Sequence, residues 1–193
     1  MISLTNKRFC IFGLQGSGKT TLAKYILRQF GDSGWVIDVL DEYHGFNRYV
    51  MQDRTITGID ELNMAIQYIL SKYKPKLLII DEANRYCQPK RPLPEMVSYL
   101  NDFHRHLGLA IGFISRRPTQ LHTDLVELAH YLFIFRLVGK NDRMYLDSLY
   151  EGLGDKVLEL PQHAFVFFNR ETMEIKIMKV PLSSNTNLLP YKL

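Results

Sequence analysis

The stretch FCIFGLQGSGKTTLAKYILRQF, residues 9–30, constrains the fold more than any other part of this chain. It runs from an apolar segment of strand length through a glycine-rich turn into a helical pattern. Its centre fits G-x-x-x-x-G-K-[ST], with Gly13, Gly18, Lys19 and Thr20 at the fixed places. Glycines at 13, 16 and 18 let the backbone curl so that successive N–H groups point inward, and the following helix adds the positive end of its dipole. Such a cradle holds phosphate. Gly13, Leu14, Gln15, Gly16, Ser17, Gly18, Lys19, Thr20 and Thr21 are therefore the expected nucleotide-binding loop. Lys19 would reach the β- and γ-phosphates of ATP, and the Thr20 hydroxyl would bind Mg²⁺. A chance glycine turn is the bland alternative, and it does not explain strand, loop and helix in the required order.

The rest of the chain repeats the alternation. After RFCIF (8–12) and its helix, which Gly31 stops, WVIDVL (35–40) reads as a strand ending at the acids Asp41 and Glu42. A helix from Asp60 carries Leu62, Ile66, Ile69, Leu70 and Tyr73 on one face and closes at Pro75. KLLIIDE (76–82) is a strand ending in two acids. Beyond a loop with Pro89, Pro92 and Pro94, a helix sets Val97, Leu100, Phe103 and Leu107 in one stripe. LAIGFIS (109–115) and YLFIF (131–135) read as buried strands, residues 141–150 as a helix, and AFVFF with MEIKIMKV as a terminal hairpin. Strands alternating with helices imply a mainly parallel sheet covered on both faces, extended at its edge by the antiparallel hairpin. The 193 residues suit one domain over 1–193, with 183–193 (SSNTNLLPYKL) as a loosely ordered tail.

Composition excludes more than it selects. With 46% apolar and 23% charged residues the chain has material for a real core, and its net charge of +4 leans only mildly toward polyanions. No run approaches the ~20 apolar residues that cross a bilayer. Cys10 and Cys87 form no C-x-x-C pair and suggest neither a disulfide nor a zinc site. A reducing, cytoplasmic setting without membrane partners is expected.

The second half of a phosphate site is visible in LLIIDEA. An acid ending a buried strand, well downstream of the loop, is the expected magnesium-side carboxylate, here Asp81. Glu82, next to it, stands where a carboxylate orients and deprotonates a water aimed at the γ-phosphate. A hydrolase needs that group; a kinase does not. The alternative is a solvated glutamate at a strand end. A sensor of the γ-phosphate should come from the strand lying between these two, where GFISRRP places Ser115 and Arg116. For Arg116, sensing and plain surface charge both stand.

These motifs resemble the HerA–FtsK superfamily of DNA-pumping ATPases, and especially its small viral genome-packaging branch. GLQGSGKTT is similar to that family's phosphate loop, VIDVLDEYHGF to its second strand and "GEY"-like turn, and LLIIDEANRYCQPKRPLP to its Walker B strand and following loop. HRHLGLAIGFISRRPTQLHTDLVELAHYLFIFRL resembles the stretch with "SQRP" and an "R-L" strand end. The usual sensor glutamine is Arg116 here, and a motor core alone is represented, as in the packaging branch. The fold class expected is α/β, a P-loop NTPase of the ASCE/RecA-like kind. The resemblance implies a homo-oligomeric ring, a hexamer, with ATP between neighbours and an arginine reaching into the next subunit's site; Arg136, Arg143 and Arg117 are the candidates. It also implies double-stranded DNA in a central pore, with Lys90 and Arg91 as first guesses for phosphate contacts, and transient docking on a capsid or portal vertex. Each of these cations has an ordinary surface or salt-bridge reading beside the functional one.

The function expected is thus ATP hydrolysis coupled to DNA translocation, packaging a viral genome. The alternatives are a cellular HerA or conjugation-type pump, a nucleotide or nucleoside kinase (although no arginine-rich lid is found), and an assembly factor that binds ATP without turnover. Asp102, His104 and His106 do not form a metal cluster, because helical residues two apart point different ways. His122, His130 and His163 lack ligand partners at useful spacing.

Overall fold

A computed structural model describes residues 3–180 and the backbone of Leu189–Pro190. The apolar runs become strands almost where their lengths predict: β1 Arg8–Phe12, β2 Gly34–Asp38, β4 Leu77–Ile80, β5 Ala110–Ser115, β6 Tyr131–Phe135, β7 Ala164–Asn169 and β8 Glu174–Lys179. β3 Asn47–Val50 and β9 Leu189–Pro190 complete a nine-stranded sheet ordered β3-β2-β4-β5-β1-β6-β7-β8-β9. The first six in that order run parallel, and β7, β8 and β9 pair antiparallel. β5 lies between β1 and β4, so the strand that ends at Ser115 separates the phosphate-loop strand from the strand that leads into Asp81.

Pleating sorts the strand residues into two cores. Cys10, Phe12, Leu78, Ile80, Leu132 and Ile134 face one side, while Phe9, Ile11, Leu77, Ile79, Phe133 and Phe135 face the other. The second face is covered by α1 Lys19–Phe30 through Leu22, Ile26 and Leu27. The first is covered by α2 Ile59–Tyr73, α3 Glu95–Phe103, α4 Thr123–Glu127, α5 Lys140–Leu149 and α6 Leu153–Leu158. Both cysteines are buried free thiols, and burial pushes Cys87 up to about 12. Among the described residues no helix is long and apolar enough to cross a membrane.

Several expectations are corrected. β3 escapes pattern reading because Asn47 and Arg48 interrupt any apolar run; the strand exists through its backbone ladder with β2. β2 stops at Asp38 rather than residue 40, because the Asp38 carboxylate turns the chain there by accepting from the N–H groups of Glu42 (3.0 Å) and Tyr43 (2.9 Å). Tyr73 is not a core residue but stacks on Trp35, with ring centroids 4.2 Å apart, at the surface. α3 ends at Phe103, so only Val97 and Leu100 of its apolar stripe are buried; Phe103 and Leu107 are exposed, and Phe103 stacks on Tyr99. The expected loose tail over 183–193 lies outside the described residues, except that Leu189–Pro190 pair with β8 as β9.

Candidate nucleotide-binding site

β1 delivers the chain into the loop at Gly13, where any side chain would collide. A Cβ there would lie 2.5 Å from Ser17 Oγ and 2.7 Å from Phe135 Cβ, at the end of β6. The loop closes with Ser17 N–H donating to Leu14 O (3.2 Å), and Gly18 starts α1 at φ 113°, a left-handed value suited to glycine. The first turn of α1 carries no acidic side chain, which leaves its N-terminus receptive to an anion. Lys19 folds back over the loop and donates from Nζ to Leu14 O (3.1 Å). Burial lowers its pKa, while the Asp81 and Glu82 carboxylates pull it up. A cavity of about 620 Å³ opens over the loop, bounded by Gln15, Lys19, Thr20, Thr21, Glu42 and His163.

Asp81 and Glu82 follow directly on β4, and both are buried. Asp81 Oδ1 accepts from Glu82 N–H (2.7 Å), and the buried Tyr43 side chain interacts with the same carboxyl. Burial outweighs both and raises the Asp81 pKa to about 6. Glu82 adopts a left-handed backbone (φ 46°, ψ 37°) that starts a short helical turn over Ala83–Arg85. Its Oε1 lies 3.3 Å from Arg116 Nε, and its Oε2 lies 3.8 Å from Arg85 Nε. Arg116, just beyond the end of the intervening strand, thus reaches Glu82, whereas Ser115 Oγ is taken up by its own turn, donating to Arg117 O (2.9 Å).

The residues present fit a magnesium ion. Thr20 Oγ1 and the Asp81 carboxylate are hard oxygen donors at one end of the sheet, and Asp81 is a buried acid with no cation in an ion pair among the described residues. Thr20 Oγ1 donates to Glu42 Oε2 (3.1 Å), which brings the Glu42 carboxylate to the hydroxyl. No group of three or more His, Cys, Asp or Glu side chains suited to a metal occurs among the described residues.

The remaining sequence candidates separate. Arg136 is exposed and lines a cavity beside its own chain's phosphate loop, with Gln15, Gly16 and Ser17. Arg143, on α5, lies 3.5 Å from Asp155 of α6, and Arg117 lies 3.6 Å from Asp142. Lys90 and Arg91 are exposed in the loop between Asp81 and α3, and Lys90 takes a left-handed backbone at φ 61°. His104 is buried against His130, and its pKa falls to about 4, chiefly through burial.

Three residues of the site were missed in the sequence. Glu42 belongs beside Thr20. Asp38 fixes Glu42 there by binding its N–H and is itself paired with Arg48 (2.9 Å). His163, discounted for want of a metal partner, lies over the phosphate loop, with Nδ1 3.3 Å from Ser17 O. The acids Asp38, Asp41 and Glu42 clustered at one strand end were the available signal for the first two; nothing local announces His163.

The family model for the "ATPase family associated with various cellular activities (AAA)" matches residues 9–136. Two proteins of Methanocaldococcus jannaschii are similar in sequence. The "Probable DNA double-strand break repair helicase HerA" is 30% identical over 92 residues, covering 45% of this chain and 18% of that protein. The "Probable helicase MJECL08" is 28% identical over 120 residues, covering 61% and 22%. This chain therefore spans about a fifth of the length of these curated relatives. Among solved structures, the genome packaging NTPase B204 of Sulfolobus turreted icosahedral virus 2, in complex with ATP-gammaS, superimposes with a TM-score of 0.77. Identity there is 22%, over 92% of this chain and 98% of that one. The strand order, the phosphate loop and these likenesses agree: the chain belongs to the AAA family of ATPases and has the P-loop NTPase fold.

Proposed function

We propose that this domain is the motor of a double-stranded DNA translocase that packages a viral genome. The observation that carries the reading is the Asp81 and Glu82 pair at the end of β4, opposite Lys19, which fits hydrolysis of ATP rather than phosphoryl transfer to an organic acceptor. Gly13 through Thr21 bind the phosphates, with Lys19 on the β- and γ-groups. Thr20 and Asp81 hold Mg²⁺, which when bound neutralises phosphate charge. Glu82 takes a proton from the attacking water once it is released from Arg116, and Arg116 then faces the γ-phosphate.

The working form is a homo-hexameric ring. Arg143 or Arg117 would cross to the neighbour's nucleotide, each leaving a side-chain ion pair of 3.5–3.6 Å to do so. Such a finger is worth roughly 10³–10⁵ in rate. Lys90 and Arg91, without an ion pair among the described residues, would grip DNA phosphates in the pore. Packaging, the reading that would place the motor in the host cytoplasm and transiently at a capsid vertex, draws its support from the likeness to a viral genome packaging NTPase over nearly the full length of both chains, and that likeness does not bear on the location. The two helicase relatives favour a second reading, a cellular HerA-type pump.

The test is phosphate release with and without duplex DNA. Stimulation by duplex, lost in Lys90→Ala/Arg91→Ala, is expected. Turnover indifferent to duplex, or transfer of the γ-phosphate to a nucleoside, would overturn the translocase.

A further inference from the structure

The end of the sheet away from the phosphate loop gathers hydrogen-bond donors with too few acceptors. β1 enters there at Arg8, His130 immediately precedes β6, and α3 exits through His104 and Arg105. Arg8 Nη1 donates to Asn101 O (2.8 Å) and Oδ1 (3.1 Å), but the buried Arg8 Nε has no partner. His104 is only 2% exposed, and neither of its ring nitrogens completes a hydrogen bond. Asn101 O draws on that ring, yet it is already taken by Arg8. The His104 and His130 rings stand 6.0 Å apart, edge to face.

His130 shows the deficit most plainly. Burial first, then nearby cations, lowers both histidine pKa values, so each ring is neutral at pH 7.5 and carries one N–H. His130 Nδ1 accepts from the backbone N–H of Arg8 (3.0 Å), which puts the ring proton on Nε2. Facing Nε2 at 2.8 Å is Arg105 Nη2, which can only donate. Two donors opposed at that distance call for an acceptor between them. The charge is unbalanced as well. Lys7 is answered by Glu171 (2.6 Å), whereas Arg8 and Arg105 make no ion pair among the described residues; exposed Asp102 is the acid left within electrostatic reach of Arg8.

We propose that Arg8, His104, Arg105 and His130 form a second anion site, remote from the nucleotide, which takes a small free oxyanion of the phosphate class. The length of β1, roughly 15 Å, separates it from Gly13. The oxygens of the anion accept from Arg105 and from His130 Nε2, and from the unpartnered N–H groups of Arg8 and His104. One ligand thus satisfies every orphan of the cluster. Arg105 is exposed and forms the movable wall: turned off His130, it opens the way in and then closes over the anion. The two histidines are too deeply buried for the backbone phosphates of a duplex to follow, so the anion enters alone. Bound there, it ties the exit of α3 to the starts of β1 and β6.

Imidazole nitrogen NMR of the full chain reads this site directly, with magnesium and a saturating non-hydrolysable ATP analogue filling the phosphate loop. Titration with inorganic phosphate at pH 7.5 should move the His104 and His130 signals along one common saturation curve and leave His122 still. Arg105→Ala, a change at an exposed side chain, should weaken that binding about tenfold, as for the loss of a charge-assisted hydrogen bond. His104→Phe, which keeps the ring but not its N–H, should weaken the curve followed at His130 by a similar factor. Phosphate that moves neither histidine, or that binds Arg105→Ala as well as wild type, would overturn the site. A short duplex that moves both signals as strongly as free phosphate, at matched phosphate concentration, would overturn the claim that the anion enters alone.

Discussion

Asp38 and Asp81 end two neighbouring strands at the same level of the sheet, one residue beyond the pairing of Ile37 with Ile80, and both are buried. Their surroundings differ. Asp38 accepts hydrogen bonds from two backbone N–H groups and from Arg48, so its charge is answered within the fold. Asp81 accepts one backbone N–H and faces the buried Tyr43, and its pKa is driven up to about 6 by burial. Tyr43 joins the two, its N–H on Asp38 and its side chain at Asp81. A carboxylate satisfied by its own chain builds a turn. One left short of positive charge is suited to a cation from outside. The same residue type at the same height in the sheet thus has two roles, distinguished by what surrounds each.

That contrast can be broken by substitution. Glu82, the neighbour of the unsatisfied acid, carries the largest effect: Glu82→Gln should cut phosphate release by about 10²–10⁴-fold while nucleotide affinity holds, as expected of a lost general base. Normal turnover in this variant would remove Glu82 from the chemistry. Asp81→Asn should cost about 10²–10³-fold and raise the magnesium concentration at which the residual rate saturates. Asp38→Ala should act on the fold instead. It leaves the N–H groups of Glu42 and Tyr43 without their acceptor, which costs about 2–4 kcal/mol in chemical denaturation. If Asp38→Ala lost turnover with its stability intact, the division between structural and functional acids would fail.

The sequence made one side of this contrast plain and hid the other. The phosphate loop and the Asp81 and Glu82 pair were legible because their chemistry is local: spacing in the loop, and an apolar run that ends in acids. Asp38 looked like one more strand residue because its partners are Arg48, ten residues on, and a turn whose N–H groups carry no side-chain signature. His163 was harder still. It meets Ser17 only because β6 and β7 pair, and no pattern around either residue records that contact across 146 positions. The parallel sheet was legible from alternating apolar runs, whereas β3 was not, since a half-exposed edge strand needs backbone pairing and little burial. The α3 stripe misled for the converse reason: helical spacing marks one face, but only tertiary packing decides how far along the helix that face is covered.

The smallest predicted effect isolates the unsatisfied charge itself. In the absence of nucleotide and magnesium, Asp81 has a folded-state pKa of about 6 against 3.8 for the free group. Between these values the folded state holds the extra proton, so stability falls as pH rises. The contribution is fully present below pH 4 and lost as pH passes through 6, and it amounts to roughly 1–3 kcal/mol. Asp81→Asn has no charge to bury at any pH. In EDTA the variant should therefore be more stable than wild type at pH 7.5 and show no such gain at pH 4, as read from denaturation midpoints. Adding magnesium with ADP at pH 7.5 should then reverse the order, because only wild type can set the ion against its buried carboxylate. Equal slopes with pH in the two proteins would mean that Asp81, like Asp38, is already satisfied by its own chain, and the contrast between the two strand ends would have no energetic content.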